Sequence, residues 1–219
     1  DSAVWEINPN YISKNGKTKV VYPEFSYLMT YLDVDYYPYP LRGFMADLQL
    51  VRRGFGGDAG MWNLTVRATK AWELGSKFSF SSQFTGNLKL PFKQPFVQNR
   101  MFGFGDFYLR GLEKYVVDGV VGGMSRNTLR REMLNFSIPL PIRSQSHDRI
   151  PFRIYAKTYT DIGYSHSKYF RTNSLNNKLM ATAGAGIDVV TLYDLVLRFE
   201  YSFNQFGQNG FFFHVRNDF

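Results

Sequence analysis

Residues 62–74 read WNLTVRATKAWEL, and residues 78–90, which follow a turn at Gly75-Ser76, read FSFSSQFTGNLKL. In both runs the even-numbered positions are mostly apolar and the odd-numbered positions are mostly polar. Alternation with period two places side chains on opposite faces of a β-strand, and a helix cannot imitate it over twelve residues or more. The two runs therefore predict neighbouring strands, each longer than the five or six residues usual in soluble sheets.

The same alternation continues on both sides of this pair. One strand is predicted over about residues 18–32, and another opens at Leu41-Arg42-Gly43. Five more begin at about residues 134, 151, 181, 195 and 211. With one further strand among the irregular N-terminal residues, near the turn Asn15-Gly16, the total is about ten. Ten is even, as a closed bacterial barrel requires.

Long strands with short turns and one uniformly apolar face are expected of a barrel that faces lipid. The predicted fold class is therefore all-β, an antiparallel transmembrane β-barrel. The alternative is a large soluble barrel or sandwich. Aromatic residues make up 18% of the chain, yet its mean hydropathy is only −0.28. This combination suits a sheet whose two faces meet different solvents. No segment approaches the roughly 20 apolar residues of a membrane-spanning helix.

The chain of 219 residues is basic, with a net charge of +8, and contains no cysteine. Its Lys and Arg residues are scattered singly or in pairs, and no nucleic-acid recognition motif accompanies them. We therefore predict no nucleic-acid partner, and expect the basic residues to face a water-filled lumen or lipid phosphates. The lack of cysteine excludes disulfides and thiol-based metal or redox sites. No signal peptide is present, which indicates a mature chain or a piece of a longer one.

The alternation is interrupted between about residues 91 and 123, which predicts a long loop. The loop contains the pair Arg110-Gly111 among apolar and aromatic residues. A loop folded back into a cavity would explain this apolar surface, and Arg110 would then need a buried acidic partner. The alternative is an external loop with an incidental arginine. The residues that frame the pair are Phe102, Phe104, Phe107, Tyr108, Leu109, Leu112 and Tyr115.

Residues suited to catalysis are scarce. The three histidines are His147, His166 and His214, and two of them lie in predicted turns beside Asp148 and Ser165. No nucleophile elbow accompanies them, and no paired ligands on one face indicate a metal. The sequence therefore predicts no catalytic residue, no cofactor and no metal site, so the chain is not expected to be an enzyme.

Several motifs, taken in order, resemble those of the BamA/TamA-like surface-antigen family of outer-membrane barrels. The loop motif of that family, Val-Arg-Gly followed by an aromatic residue, is similar to residues 109–112, with Leu112 in place of the aromatic. The strand motif Phe-x-Asp-x-Gly is similar to residues 159–163, with tyrosine for phenylalanine. The remaining likenesses are Tyr39-Pro40-Leu41-Arg42-Gly43, the pair Gly184 and Gly186, and a C-terminal aromatic, Phe219.

The resemblance implies a specific arrangement of the loop. The loop would enter the lumen, where Arg110 would pair with Asp161, and the site residues would be Leu109, Arg110, Gly111, Leu112, Asp161 and Gly163. Phe219 would be the signal that assembly machinery reads. The alternation independently places Asp161 on the polar face of its strand. Because the family barrel has sixteen strands behind periplasmic repeats, residues 1–219 would be its C-terminal portion.

The function implied by the resemblance is assembly, insertion or translocation of outer-membrane or secreted proteins. Its partners would be outer-membrane lipids, unfolded client proteins and accessory assembly lipoproteins, and its location the bacterial outer membrane. Two alternatives stay open. The barrel could anchor an enzyme encoded upstream, a patatin-like lipase or a metallophosphoesterase, or it could be a simple diffusion pore.

Overall fold

The computed structural model describes residues 10–57, 60–103, 105, 107–139, 149–167, 175–191 and 194–217. Within these residues the chain is all-β, apart from one short 3-10 turn at Phe96–Gln98. Its strands are β1 (Glu24–Val34), β2 (Gly43–Arg53), β3 (Met61–Gly75), β4 (Phe78–Leu90), β5 (Arg100–Phe102), β6 (Val117–Asp118), β7 (Val121–Pro139), β8 (Arg149–His166), β9 (Leu179–Val190), β10 (Leu195–Asn204) and β11 (Asn209–Asn217).

Nine of these strands form one antiparallel sheet in the order β1-β2-β3-β4-β7-β8-β9-β10-β11. Each strand pairs with its neighbours along the chain, except that β4 pairs with β7 across the small β5–β6 hairpin. Among the described residues the sheet is open, with β1 and β11 at its edges. The main sheet thus has nine strands rather than about ten, because residues 10–23 contain no strand.

The two faces of the sheet differ sharply. Along β8, residues 155, 157, 159, 161, 163 and 165 are buried, while residues 158, 160, 162 and 164 between them are exposed. We call the face with the buried residues the inner face and the opposite one the outer face. Large apolar side chains are exposed on the outer face of the described strands: Trp62, Trp72, Phe84, Leu134, Phe136, Ile162, Ile187, Tyr201, Phe203, Phe211 and Phe213.

Two connections cover the inner face. The first, residues 91–120, is called the inserted segment, and it includes the β5–β6 hairpin. The second, residues 35–42 between β1 and β2, is called the tyrosine turn; its Tyr36 and Tyr39 pack near Tyr155, Val190 and Val196. One cavity is lined by β2, β3 and β4 as well as by β8, β9 and β10. Since these strands lie on opposite sides of β7 in the sheet, the sheet curves around its inner face.

The structure corrects two predicted boundaries. The interruption ends at residue 120 rather than 123, because Gly122 and Gly123 already pair with β8 as part of β7. β7 therefore has 19 residues and begins well before Leu134, where its alternation becomes visible in the sequence. A bulge between Glu132 and Leu134 shifts the alternation at that point, which explains why the first half of β7 was missed.

No helix in the described part of the chain is long and apolar enough to cross a membrane.

Candidate functional site: the inserted segment and its charged bed

The inserted segment folds onto the inner face as a small core of its own. The backbone of its last residue is tied to the strands on both sides: Lys89 of β4 donates its N–H to the Val120 carbonyl oxygen at 2.7 Å, and the Val120 N–H donates to the carbonyl oxygen of His166 in β8 at 2.9 Å. The exposed-loop alternative is therefore wrong, because the apolar side chains of the segment are buried together with three from the sheet and the β8–β9 connection: Met101, Phe102, Leu109, Leu112, Val117, Met124, Leu175 and Met180.

A tight turn at residues 109–112 presents Arg110 to the sheet. Leu112 donates its N–H to the Leu109 carbonyl oxygen at 3.0 Å, and Gly111 adopts a φ of +85°. Type II turns need such a positive φ at their third position, and glycine adopts it without steric cost. A Cβ on Gly111 would also lie 2.8 Å from the Cβ of Ser202. Glycine is thus required both by the turn and by its close approach to β10.

Arg110 and Asp161 form a buried two-pronged ion pair. The Arg110 Nε donates to Asp161 Oδ2 at 2.9 Å and Nη2 donates to Oδ1 at 2.5 Å. The backbone N–H of Arg110 also donates to Oδ2, at 3.0 Å, and Nη1 donates to Thr128 Oγ1 at 3.0 Å. Asp161 is 0% exposed and Arg110 is 8% exposed. Fork-to-carboxylate geometry of this kind is among the strongest hydrogen bonding that proteins use.

The ring of Tyr159 packs against the guanidinium group of Arg110. Its ring centroid lies 4.0 Å from the Arg110 Cζ, within range of a cation–π interaction. Its hydroxyl oxygen lies 2.5 Å from Ser202 Oγ, and the ring fits because Gly184 has no side chain: a Cβ there would lie 2.4 Å from the hydroxyl oxygen. Burial works to lower the pKa of Arg110, but the hydrogen bonds and charge of Asp161 outweigh it, so the pKa is raised and the guanidinium stays charged.

A second buried ion-pair cluster adjoins the first. Lys157 on β8 lies between two carboxylates, with its Nζ 2.5 Å from Asp188 Oδ1 on β9 and 2.6 Å from Glu200 Oε1 on β10. Glu200 Oε1 is also 3.9 Å from Arg110 Nη1, which joins the two clusters. All of these side chains are at most 9% exposed. Three neighbouring strands and the inserted segment are therefore held together by one charged network.

The tyrosine turn is bound to the same network from the other side. The Tyr39 hydroxyl donates to Asp188 Oδ2 at 2.8 Å, and the Tyr36 hydroxyl donates to Asp194. Arg130 places its Cζ 4.6 Å from the Tyr39 ring centroid and donates from Nη1 to the Pro40 carbonyl oxygen at 3.1 Å. Burial and the nearby Asp188 charge raise the pKa of Tyr39 well above its ordinary value. The phenol consequently remains a proton donor to Asp188.

Two further side chains, Glu113 and His214, approach Glu200 where the inserted segment meets β10 and β11. The carboxylates of Glu113 and Glu200 and the His214 ring offer ligand atoms that all lie within 4.8 Å of one another. His214 Nε2 is 3.1 Å from Glu113 Oε1, and the Tyr108 ring stacks on His214. Carboxylate and imidazole groups suit a divalent cation, but Glu200 already binds Lys157. The arrangement is better described as a hydrogen bond between Glu113 and His214 that holds the inserted segment to the sheet.

The structure places most of the predicted site residues together. Leu109, Arg110, Gly111 and Leu112 form the turn, and Asp161 receives the arginine. Gly163 lies under Leu109, where a Cβ would be 3.0 Å from a leucine methyl carbon. The remaining predicted positions, Phe219 with Phe104, His147 and Asp148, lie outside the described residues.

Sequence reasoning missed the partners of Lys157. Asp188 and Glu200 are assigned to the inner face by alternation, as is Lys157, but that assignment does not say which of them meet. The signal that could have found them is three charged residues on the same face of three consecutive strands. A charge on a face that is otherwise buried needs a partner.

No protein-family model matches this chain, and no curated protein matches it either. The resemblance to the surface-antigen family therefore stays a prediction that rests on its motifs. The charged groups of the site hold the inserted segment against the curved sheet.

Proposed function

We propose that this protein is an outer-membrane barrel, to which the chain contributes these nine strands, and that it assists the insertion or translocation of outer-membrane or secreted proteins. The observation that carries the proposal is the polarity of the sheet. Its exposed outer face bears large apolar side chains, whereas its covered inner face bears the charged residues Asp161, Lys157 and Glu200, against which Arg110 of the inserted segment packs. A water-soluble sandwich has the opposite arrangement, and a barrel in lipid has this one.

Strand length supports the same proposal. A transmembrane strand needs about 9–11 residues when tilted, and the nine strands of the main sheet contain between 9 and 19 residues. The shortest, β11, still meets this requirement. A band of apolar side chains on every strand of such a sheet would otherwise be exposed to water, which is unfavourable for a monomeric soluble protein.

The proposed mechanism needs no covalent chemistry. A weakened seam of the barrel, where a strand edge such as that of β11 is exposed, offers backbone N–H and C=O groups to an incoming strand of a client, as in β-strand addition. The inserted segment would serve as an internal strut that keeps the curved sheet in shape while an edge is engaged. The covered inner face argues against a wide diffusion pore, because two connections and a charged network occupy it.

Replacing Phe84 by arginine tests the membrane orientation. Phe84 lies at the middle of β4 and is 51% exposed on the outer face. A charge at the middle of a lipid-facing strand costs about 2–4 kcal/mol, so we expect the free energy of unfolding in lipid vesicles to fall by about that amount. The matched control is Gln49→Arg, at an exposed position on the inner face of β2, which should change it by less than 1 kcal/mol. Equal costs for the two variants would contradict the orientation.

A reconstitution assay tests the function itself. Vesicles that contain the full-length protein would receive a urea-unfolded outer-membrane barrel as client, and the protease-protected client would be measured over time. We expect several-fold faster protection than in vesicles that contain an unrelated barrel of similar size. No acceleration would favour the role of an anchor for an enzyme, and large unitary conductance steps in planar bilayers would favour the pore.

A further inference from the structure

A cavity of about 100 Å³ lies on the inner face, between the inserted segment and the tyrosine turn. Tyr108 and Arg110 of the inserted segment form one wall, and Pro38 and Pro40 of the turn form another. Side chains of the sheet complete it. The volume has room for a few water molecules, which also suits a compact ion but excludes a segment of folded protein.

The walls of this cavity carry an excess of positive charge. Two lining side chains are anionic, Asp188 and Glu200. Asp161, directly behind Arg110, adds a third negative charge close by. Five lining side chains are cationic: Arg110, Arg126, Arg130, Lys157 and Arg198.

All three carboxylates form ion pairs with two of these cations, Arg110 and Lys157. Asp161 binds Arg110 through both oxygens, and Lys157 lies between Asp188 and Glu200. Of the other lining cations, Arg130 and Arg198 form no ion pair with a carboxylate among the described residues. The Arg130 Nη1 donates to a neutral carbonyl oxygen of Pro40, and its buried Nε has no hydrogen-bond partner within the same residues.

Excess charge in a partly enclosed cavity is unfavourable unless an ion of opposite sign is taken up. Guanidinium groups are planar forks of donors that match the oxygens of phosphate and carboxylate groups. We propose that this cavity is a binding site for a phosphate group, held by the Arg130 and Arg198 guanidinium groups between the inserted segment and the tyrosine turn. The phosphate group is either a free ion or the headgroup of a lipid.

Bound phosphate would join parts of the fold that are distant in sequence. Arg130 already holds the tyrosine turn through Pro40, and the inserted segment contributes Tyr108 and Arg110 to the same cavity. A ligand that binds only the folded arrangement stabilises it by mass action. Binding of phosphate would therefore stabilise the packing of the inserted segment and the tyrosine turn on the inner face.

The test is a ³¹P NMR line-broadening titration of the full-length protein in a non-ionic detergent at low ionic strength. One arm uses inorganic phosphate and a second uses a short-chain phosphatidic acid below its micellar concentration. We expect saturable binding at one site per chain, with a raised midpoint of thermal unfolding. Binding in the first arm identifies a free-ion site, and binding in the second alone identifies a headgroup site. Absence of saturation in both arms would overturn the proposal.

Matched variants localise the binding. Arg130→Gln and Arg198→Gln should each weaken it about tenfold, the effect of losing one charge-assisted hydrogen-bonding group. Arg67→Gln is the control, because Arg67 is an exposed inner-face arginine outside the cavity walls. Equal weakening by Arg67→Gln would mean diffuse attraction and no site. The titration of the unsubstituted protein decides the matter even where a variant fails to fold, and it requires no client transport.

Discussion

Replacing Arg110 by alanine is expected to lower the free energy of unfolding by about 3–5 kcal/mol, the usual effect of removing one member of a buried ion pair. Asp161 is 0% exposed, so its charge would be left without the guanidinium and without access to bulk water. It would retain one hydrogen bond, from the backbone N–H of residue 110. The loss is measured by urea unfolding of the protein in lipid vesicles.

The reciprocal change, Asp161→Ala, is expected to cost at least as much. It removes both side-chain hydrogen bonds and the one from the Arg110 backbone. The guanidinium would keep Thr128 and the more distant Glu200, 3.9 Å away. Because both single changes destroy the same interaction, the double variant should be little worse than the poorer single one. Fully additive costs in this cycle would show that the pair does not hold the inserted segment.

Two controls separate the pair from general effects. Arg67→Ala removes an exposed inner-face arginine and should change stability by no more than about 0.5 kcal/mol. Arg110→Lys keeps the charge but loses the planar fork and the stacking on Tyr159, so it should restore only part of the stability. Limited proteolysis within residues 91–120 should rise in Arg110→Ala and Asp161→Ala and stay unchanged in Arg67→Ala.

Lys157→Met should produce a loss of similar size, about 3–5 kcal/mol. The methionine would fill much the same volume, but the carboxylates of Asp188 and Glu200 would lose the ammonium group that lies within 2.6 Å of both. Asp188 would keep the Tyr39 hydroxyl. Among the residues that the structure describes, Glu200 would keep longer contacts to Arg110 and His214. The same unfolding measurement in vesicles reports the cost.

A second substitution distinguishes charge from packing in this variant. Adding Asp188→Asn to Lys157→Met removes one of the two carboxylate charges that lack the Lys157 ammonium group. We therefore expect it to recover part of the lost stability. Lys114→Met, at an exposed position of the inserted segment, should have almost no effect. A double variant less stable than Lys157→Met alone would mean that shape, rather than unpaired charge, explains the loss.

Much of the sheet follows from local pattern. Alternation along residues 62–74 and 78–90 identified β3 and β4, and it assigned both faces of β8, β9 and β10, because a strand has only two ways to point a side chain. It failed where the period breaks. In β7 the run of Gly122 and Gly123, together with the bulge near Glu132, hides the strand's first half, since glycines carry no side chain to alternate.

The site was harder to predict because its contacts join distant parts of the chain. The pairing of Arg110 with Asp161 came from a family resemblance rather than from the residues themselves. The Lys157 cluster depends on the register of three strands. That register places both Lys157 and Glu200 beside Gly186 of β9, and Asp188 is two residues further along the same strand. In the sequence, the tyrosine turn is recognisable only as a turn crowded with tyrosines that leads into the next strand. Its burial arises only because the sheet curves, a property of the assembled strands.

The tyrosine turn also constrains the order in which contacts form as the chain folds. Tyr39 is 149 residues away from Asp188, and Tyr36 is 158 residues away from Asp194. The β1–β2 hairpin precedes in sequence the acceptors of its two phenols, which lie in β9 and in the β9–β10 connection. Contacts between such distant residues form late, after the entropy of a long intervening loop has been overcome. The β1–β2 hairpin therefore gains these two contacts only after β9 and β10 have taken their places in the sheet.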